Sequence, residues 1–215
     1  MKGYPLTLVG LADSRCVVVG GGRVAARKVT ALIDAGARPV VIARELCAEL
    51  QDRAAAGEVE ALRRDYAPGD LAGARLVIAA TDDETVNGAV WQEAGEVGCL
   101  ANVVDDPARC NFHVPATVRR GALTVAIATG GNAPALARRI RQDLEARFDA
   151  AYEPYLALLG ELRPVVQARI PAQERRAAWQ ALLDSDVLEL LRAGERQAAG
   201  ERAHQIVSAL AGEEA

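Results

Sequence analysis

Lysine, histidine and aromatic residues are scarce in this chain of 215 residues. Only Lys2 and Lys28 are lysines, only His113 and His204 are histidines, and aromatic residues make up 4%. Acidic residues outnumber basic ones by 29 to 25, so the formal net charge is -4. Without an excess of positive charge, the chain has no general attraction for nucleic acid or an anionic membrane, and neither partner is predicted.

Metal-ligand spacing and long apolar runs are also missing. The four cysteines, Cys16, Cys47, Cys99 and Cys110, form no C-x-x-C pair, which argues against a zinc site, and no metal is predicted. No stretch approaches the roughly 20 apolar residues of a spanning helix, and residues 6–12 are too short for a signal peptide. We therefore expect a cytoplasmic protein with free thiols.

What the chain does contain is an alternation of short apolar runs and longer helical patterns, from residue 16 to residue 104. This rhythm predicts an α/β fold, a Rossmann-like doubly wound parallel sheet. The runs are near-continuous, as strands buried on both faces should be. Strands are predicted at 16–19, 39–42, 59–62, 76–80 and 100–104, and helices at 24–35, 46–56 and 84–97.

The pattern changes after residue 107. Further strands are predicted at 112–114 and 123–128, followed by a helix at 133–148. Beyond residue 151 no strand signal remains, which predicts a small C-terminal helical domain. Its helices are expected at 152–170, 173–183, 187–193 and 195–210.

A G-x-G-x-x-A pattern, with Gly20, Gly22 and Ala25, stands between the first predicted strand and the first helix. In dinucleotide-binding proteins the first glycine makes a tight turn, the second admits the pyrophosphate, and the small third residue packs the helix against the sheet. The helix N-terminus then favours the phosphates. The alternative is a tight turn without a ligand.

The second strand ends at Arg44 and Glu45 instead of the usual ribose-binding acid. Arg44 can stack on adenine or accept a 2′-phosphate, so the residues alone leave NAD and NADP open. It can also be an ordinary solvated side chain.

Two acidic segments follow the fourth and fifth strands, where ligands of open parallel sheets bind. Thr81 and Asp82 can face the nicotinamide, although residues 82–84 equally suit the capped first turn of a helix. Asp105 can act as a general base, although Asp-Asp-Pro at 105–107 also suits a turn.

A second glycine loop, residues 129–132, precedes a helix that carries Arg138. It predicts an anion site for a substrate carboxylate, to which Arg119 and Arg120 can add. Asn132 as a helix N-cap is a compatible reading. His113 lies near the predicted crevice as a candidate catalytic residue, although a lone histidine is more often structural.

Together these motifs resemble the precorrin-2 dehydrogenase family, the dehydrogenase and ferrochelatase module of sirohaem synthases. The resemblance covers nearly the whole chain. It lies in Gly20-Gly21-Gly22 with Val24, Ala25, Arg27 and Lys28; Thr81-Asp82-Asp83 with Val86-Asn87; Asn102-Val103-Val104-Asp105; Phe112 with Pro115-Ala116; and Thr129-Gly130-Gly131-Asn132 with Leu136-Ala137-Arg138.

The resemblance implies NAD-dependent oxidation of precorrin-2, a small-molecule tetrapyrrole, to sirohydrochlorin, with Asp105 as the catalytic base. Ferrous iron is a possible further substrate, for which His113 is a possible chelatase residue. The candidate cofactor-binding residues are Gly20, Gly22, Arg23, Val24, Ala25, Arg44, Glu45, Thr81, Asp82, Asn102 and Val103, and the candidate substrate-binding residues are Thr129, Gly130, Gly131, Asn132 and Arg138.

The resemblance also implies a homodimer. It divides the chain into an NAD-binding domain at 1–112, a strand-containing dimerisation and substrate segment at 113–149, and the helical domain at 150–215. A nucleotide-sensing regulatory module without turnover is the alternative function, but such a module needs neither Asp105 nor residues 129–132.

Overall fold

The computed structural model describes residues 3–212 and divides into two units, one reaching to Val114 and one beginning at Pro115. The first unit contains a parallel sheet of five strands in the order β3-β2-β1-β4-β5. The strands are β1 Arg15–Val19, β2 Val40–Ile42, β3 Glu60–Leu62, β4 Ala74–Ala79 and β5 Leu100–Val103, and the helices are α1 Arg23–Ile33, α2 Ala48–Ala55 and α3 Glu84–Val97.

The register aligns the last residues of all five strands in one row across the sheet. Val19 pairs with Ile42 on one side and with Ala79 on the other, and these two pair in turn with Leu62 and Val103. The segments that leave the strands therefore begin side by side at one edge. The strand order reverses between β1 and β4, so this edge holds the crevice where such sheets bind ligands.

Helices cover both faces of the sheet because the strands are apolar on both faces. Val18 packs in a core with Val29 of α1 and Leu50 of α2, whereas Val17 packs in a second core with Val90 of α3. All five side chains are fully buried. The predicted doubly wound parallel sheet is confirmed, with each strand within two residues of its predicted ends.

The second unit opens with an antiparallel hairpin and continues as helices. Strand β6 Ala116–Arg120 pairs with β7 Leu123–Ile127, and α4 Pro134–Arg147 follows. Leu162, Val166 and Leu182 are central to the helical core that comes next. Its helices are α5 Tyr152–Arg169, α6 Arg175–Leu183, α7 Val187–Arg192 and α8 Arg196–Leu210.

One predicted strand is wrong and one strand was missed. Residues 112–114 form no strand; the Phe112 carbonyl accepts a hydrogen bond from the side-chain amide of Asn102 at 3.0 Å instead of from a neighbouring strand. Strand β7 pairs with β6, which the sequence did not predict as a strand because Arg119 and Arg120 make the segment polar. The predicted division at residues 112 and 149 stays a prediction.

Between residues 3 and 212, no helix combines the length and the apolar character that crossing a membrane requires.

The loop after β3 is stabilised by the carboxylate of Asp70, which is 9% exposed. Arg64 donates two hydrogen bonds to this carboxylate, at 2.6 and 2.7 Å, and the amide of Ala67 donates a third at 2.8 Å. The bond from Arg64, helped by that amide, lowers the pKa of Asp70 against the opposing effect of burial.

A pH-dependent contribution to stability follows, because a lowered folded-state pKa stabilises the protein above the unfolded value, 3.8, and the gain is lost as pH falls through the folded value. We expect Asp70→Asn to lower the free energy of unfolding by about 1–3 kcal/mol at pH 7. The difference in the free energy of unfolding between the wild type and the variant should be smaller at pH 3. Urea denaturation at both pH values measures it, with exposed Asp13→Asn as control; an equal gap at both would contradict the assignment.

Candidate functional site

The turn after β1 requires glycine at position 20. Gly20 has a φ of +125°, and an added Cβ would lie 2.2 Å from the carbonyl oxygen of Ala80. Its amide donates to the Ile42 carbonyl at 2.9 Å. The predicted tight turn is confirmed, and it places the chain leaving β1 directly against the chain leaving β4.

Gly22 leaves the N-terminus of α1 open. It is the N-cap, it is exposed, and a Cβ added to it would meet nothing within 4 Å. The first turn of α1 contains no acidic residue, and its first amides receive no side-chain cap from Gly22. Buried Ala25 keeps the helix close to the sheet. This arrangement fits the pyrophosphate of a dinucleotide, which uses free amides at a helix N-terminus.

Gly21 is a site residue to which the sequence motif assigns no role of its own. A Cβ here would lie 1.8 Å from the carbonyl oxygen of Glu45, and the amide of Cys47 donates to the Gly21 carbonyl at 2.8 Å. These contacts bring Arg44 and Glu45 against the glycine turn. The G-x-G-x-x-A pattern leaves the middle position free, so only the three consecutive glycines signalled it.

Arg44 is exposed and paired with Asp65, a residue that belongs to none of the sequence motifs. Its guanidinium donates to the Asp65 carboxylate at 2.6 Å, and this hydrogen bond lowers the pKa of Asp65. The pair is solvent-exposed, so its contribution to stability is small. Asp65 follows a different strand, and nothing in the sequence links it to Arg44.

The segment from β4 to α3 is a hydrogen-bonded turn. Asp83 is the N-cap of α3 and accepts from the amides of Thr85 and Val86 at 2.9 and 3.2 Å, which confirms the capping interpretation for this residue. Thr81 accepts from the amide of Asp83 through its hydroxyl at 3.2 Å. Asp82 is exposed. The cofactor roles of Thr81 and Asp82 stay predictions.

Asp105 is the only non-glycine residue between 3 and 212 with a positive φ, at +62°. This left-handed conformation is unfavourable for most side chains, tolerable for aspartate and asparagine, and concentrated at functional sites. Asp106, not Asp105, caps the short 3₁₀ turn Pro107–Arg109, accepting from two of its backbone amides. The predicted turn is therefore present, and the exposed Asp105 carboxylate does not form it.

Buried polar contacts fix the base of the Asp105 loop. The side-chain amide of Asn102, 8% exposed, donates to the Phe112 carbonyl at 3.0 Å and to the sulfur of Cys110 at 3.4 Å. That sulfur lies 3.1 Å from the carbonyl oxygen of Asp106. Burial raises the pKa of the Cys110 thiol. Asn102 thus supports the loop from the buried end of β5, where Val103 is buried as well, and the contact of either residue with a cofactor stays a prediction.

A half-buried lysine of α1, Lys28, lies within the electrostatic field of this loop. Burial and then neighbouring Arg27 lower the pKa of Lys28, whereas the negative charge of Asp105 acts in the opposite direction. The sequence offered Lys28 only as part of a motif, with no role attached.

The loop before α4 differs from the prediction at Asn132. Asn132 is not an N-cap: Pro134 is the first residue of α4, so Ala133 occupies that position. Gly130 and Gly131 have positive φ, and the amide of Asn132 donates to the Thr129 carbonyl at 3.1 Å. The loop's role, and those of the exposed residues Arg138 and His113, stay predictions. Across residues 3–212, no group of three or more His, Cys, Asp or Glu side chains is placed to hold a metal ion.

Adjacent glycines should respond differently to the same substitution. Gly21→Ala forces a Cβ into the Glu45 carbonyl, and we expect it to lower the free energy of unfolding by about 3 kcal/mol. Gly22→Ala meets no atom, and its effect should stay below about 1 kcal/mol, the loss of a favourable N-cap residue. Urea denaturation of the two variants side by side tests this. Similar losses of free energy of unfolding in both would show that the close contact between Gly21 and the Glu45 carbonyl does not determine the effect.

Three family models match consecutive parts of the chain. Residues 8–116 match the model described as "Putative NAD(P)-binding". Residues 120–147 match "Sirohaem biosynthesis protein central", and residues 151–206 match "Sirohaem synthase dimerisation region".

Similar proteins cover most of the chain. Siroheme synthase 3 of Aeromonas hydrophila is 43% identical over 198 residues, 91% of this chain and 42% of that protein. The siroheme synthase of Chromobacterium violaceum is 42% identical over 200 residues, 93% of this chain and 42% of that protein. The solved structure of SirC, precorrin-2 dehydrogenase, matches with a TM-score of 0.77 and 26% identity over 94% of this chain and all of that one. The chain thus spans less than half the length of these siroheme synthases.

Proposed function

The chain belongs to the sirohaem biosynthesis family, with an NAD(P)-binding region followed by the central and dimerisation regions, and on that premise we propose that it oxidises precorrin-2 to sirohydrochlorin with NAD. One observation carries the proposal. Val19, Ala79 and Val103 end their strands in register, so the open glycine turn, the Thr81 segment and Asp105 leave the same edge of the sheet. A nicotinamide cofactor and a proton acceptor both belong at that edge.

A bound nicotinamide cofactor, its phosphates held at the glycine turn of Gly20 and Gly22, would supply the hydride acceptor for a carbon of the tetrapyrrole. The tetrapyrrole must also lose a proton for the conjugated system to form, so two electrons and two protons leave it in total. The exposed carboxylate of Asp105 takes that proton as a general base. The rigid base of its loop, held by Asn102 and Cys110, keeps the carboxylate in place.

Asp105→Asn tests this role without disturbing the backbone, because asparagine also tolerates the left-handed conformation. In an anaerobic incubation with precorrin-2 and NAD, the wild type should form NADH and sirohydrochlorin in equal amounts, followed by absorbance. The variant should lose at least about 100-fold in kcat, the usual contribution of a general base, with NAD affinity near wild type. Equal turnover would remove Asp105 from the mechanism.

The same incubation tests the wider proposal. NAD binding by the wild type without any turnover would favour a nucleotide sensor over an enzyme. Ferrous iron added after sirohydrochlorin has formed would then test iron insertion, which stays a prediction of the resemblance together with the role of His113.

We further propose NAD, and not NADP, as the cofactor. Arg44 is the residue able to bind a 2′-phosphate, and Asp65 already holds its guanidinium at 2.6 Å. The Asp65 carboxylate, exposed beside it, would also repel a phosphate.

Asp65→Asn removes this carboxylate and frees Arg44. We expect the affinity for NADP to rise about 5–10-fold, the gain from one exposed charge-assisted contact, with little change for NAD. Nucleotide titrations followed by fluorescence measure both, and Glu58→Gln, an acid paired with Arg53, serves as a control. An unchanged ratio of the two affinities would mean that Asp65 does not set the preference.

Residues 129–132 and Arg138 are proposed to bind carboxylates of the substrate, which is rich in them. Two backbone conformations with positive φ, at Gly130 and Gly131, support an anion-binding loop. The matched dimerisation region supports a homodimer. The division at residues 112 and 149 belongs to the same proposal.

A further inference from the structure

Asn87, on the first turn of α3, is a buried polar residue whose hydrogen bonding is incomplete. It is 4% exposed. Its side-chain nitrogen donates to the carbonyl oxygen of Thr81 at 3.0 Å. Its side-chain oxygen is fully buried, and no donor among residues 3–212 lies within hydrogen-bonding distance of it.

The surroundings of Asn87 favour an apolar side chain. Val86 and Val90, its neighbours on α3, pack in the apolar core on that face of the sheet. A buried carbonyl oxygen without a donor destabilises a protein, and asparagine is a weaker helix former than leucine. Rotating the amide by 180° would place two oxygens against each other, so the donor must face Thr81. Stability alone does not explain an asparagine here.

The bond to Thr81 acts on the wall of the crevice. A Cβ on Gly20 would lie 2.2 Å from the Ala80 carbonyl and 3.3 Å from the Thr81 amide, so Thr81 borders the glycine turn directly. The backbone amide of Asn87 also donates to the Asp83 carbonyl, at 2.9 Å. Asn87 therefore fixes the segment that borders the glycine turn from within the core.

We infer that Asn87 is a positioning residue for the cofactor: through the Thr81 carbonyl it holds the crevice wall beside the glycine turn in the shape that the nucleotide binds. The inference rests on the proposed function. Asn87 does not touch the reacting atoms. Its side chain fixes the shape of the site, although an apolar side chain at this position would make the protein more stable.

The test separates nucleotide affinity from stability. Asn87→Leu keeps the number and branching of the side-chain heavy atoms, and Asn87→Ala is included because leucine is bulkier. Val90→Ala is the matched control, since Val90 is fully buried one turn further along α3 and has no polar side-chain atom. Each protein is titrated with NADH by fluorescence and unfolded thermally by circular dichroism.

We expect both Asn87 variants to bind NADH about tenfold more weakly, because the nucleotide would have to order the Thr81 segment when it binds. Asn87→Leu should match or exceed the wild type in Tm, whereas Val90→Ala should lose Tm but bind NADH normally. KM for NAD should rise in the Asn87 variants while KM for the tetrapyrrole stays unchanged.

Normal affinity in both Asn87 variants, or an equal loss in Val90→Ala, would overturn the inference and leave the proposed function standing. A wild type that binds no NADH would instead overturn the proposed function. If Asn87→Leu does not fold, the comparison between Asn87→Ala and Val90→Ala decides.

Discussion

The site depends on contacts between backbones at the glycine turn that leave no room for a side chain. At Gly20 the turn meets the chain leaving β4, and at Gly21 it meets the chain leaving β2. Because these neighbours are carbonyl groups, they cannot move aside as a flexible side chain would. Three segments are thereby fixed against one another, and only the third glycine of the series faces open space. Binding at Gly22 is possible because Gly20 and Gly21 have already set the geometry.

Much of the first unit could be predicted from the sequence because its strands are buried on both faces. Such strands are continuous apolar runs, and a run like 76–80 needs no information about its partners to be recognised. Hairpin strand β6 gave no such signal, since it is only partly buried and ends in two arginines. The segment is a strand because it pairs with β7, and a pattern within the segment alone does not reveal that pairing.

The candidate site shows the same division between local and distant information. The glycine turn, the cap at Asp83 and the turn at Asp106 depend on neighbours within a few residues, and the sequence indicated all three. Asp65, which holds Arg44, depends on tertiary placement, and so does the burial of Asn87, whose side-chain nitrogen donates to the Thr81 carbonyl while its oxygen has no donor. No motif contains Asp65, and Asn87 stands in the sequence only as part of the Val86-Asn87 resemblance, with no role attached. The N-cap assignment of Asn132 was wrong for a local reason, because Pro134 begins its helix one residue later than assumed.

The buried thiol of Cys110 can report on the opening of the loop that carries Asp105. Only a thiolate reacts readily with alkylating reagents, and burial keeps this thiol protonated as well as shielded from solvent. Its sulfur is held by the carbonyl of Asp106, next to the proposed base. An alkylating reagent can therefore modify Cys110 only after that loop opens. The rate at which Cys110 of the native protein is labelled thus reports how often the segment that carries Asp105 opens.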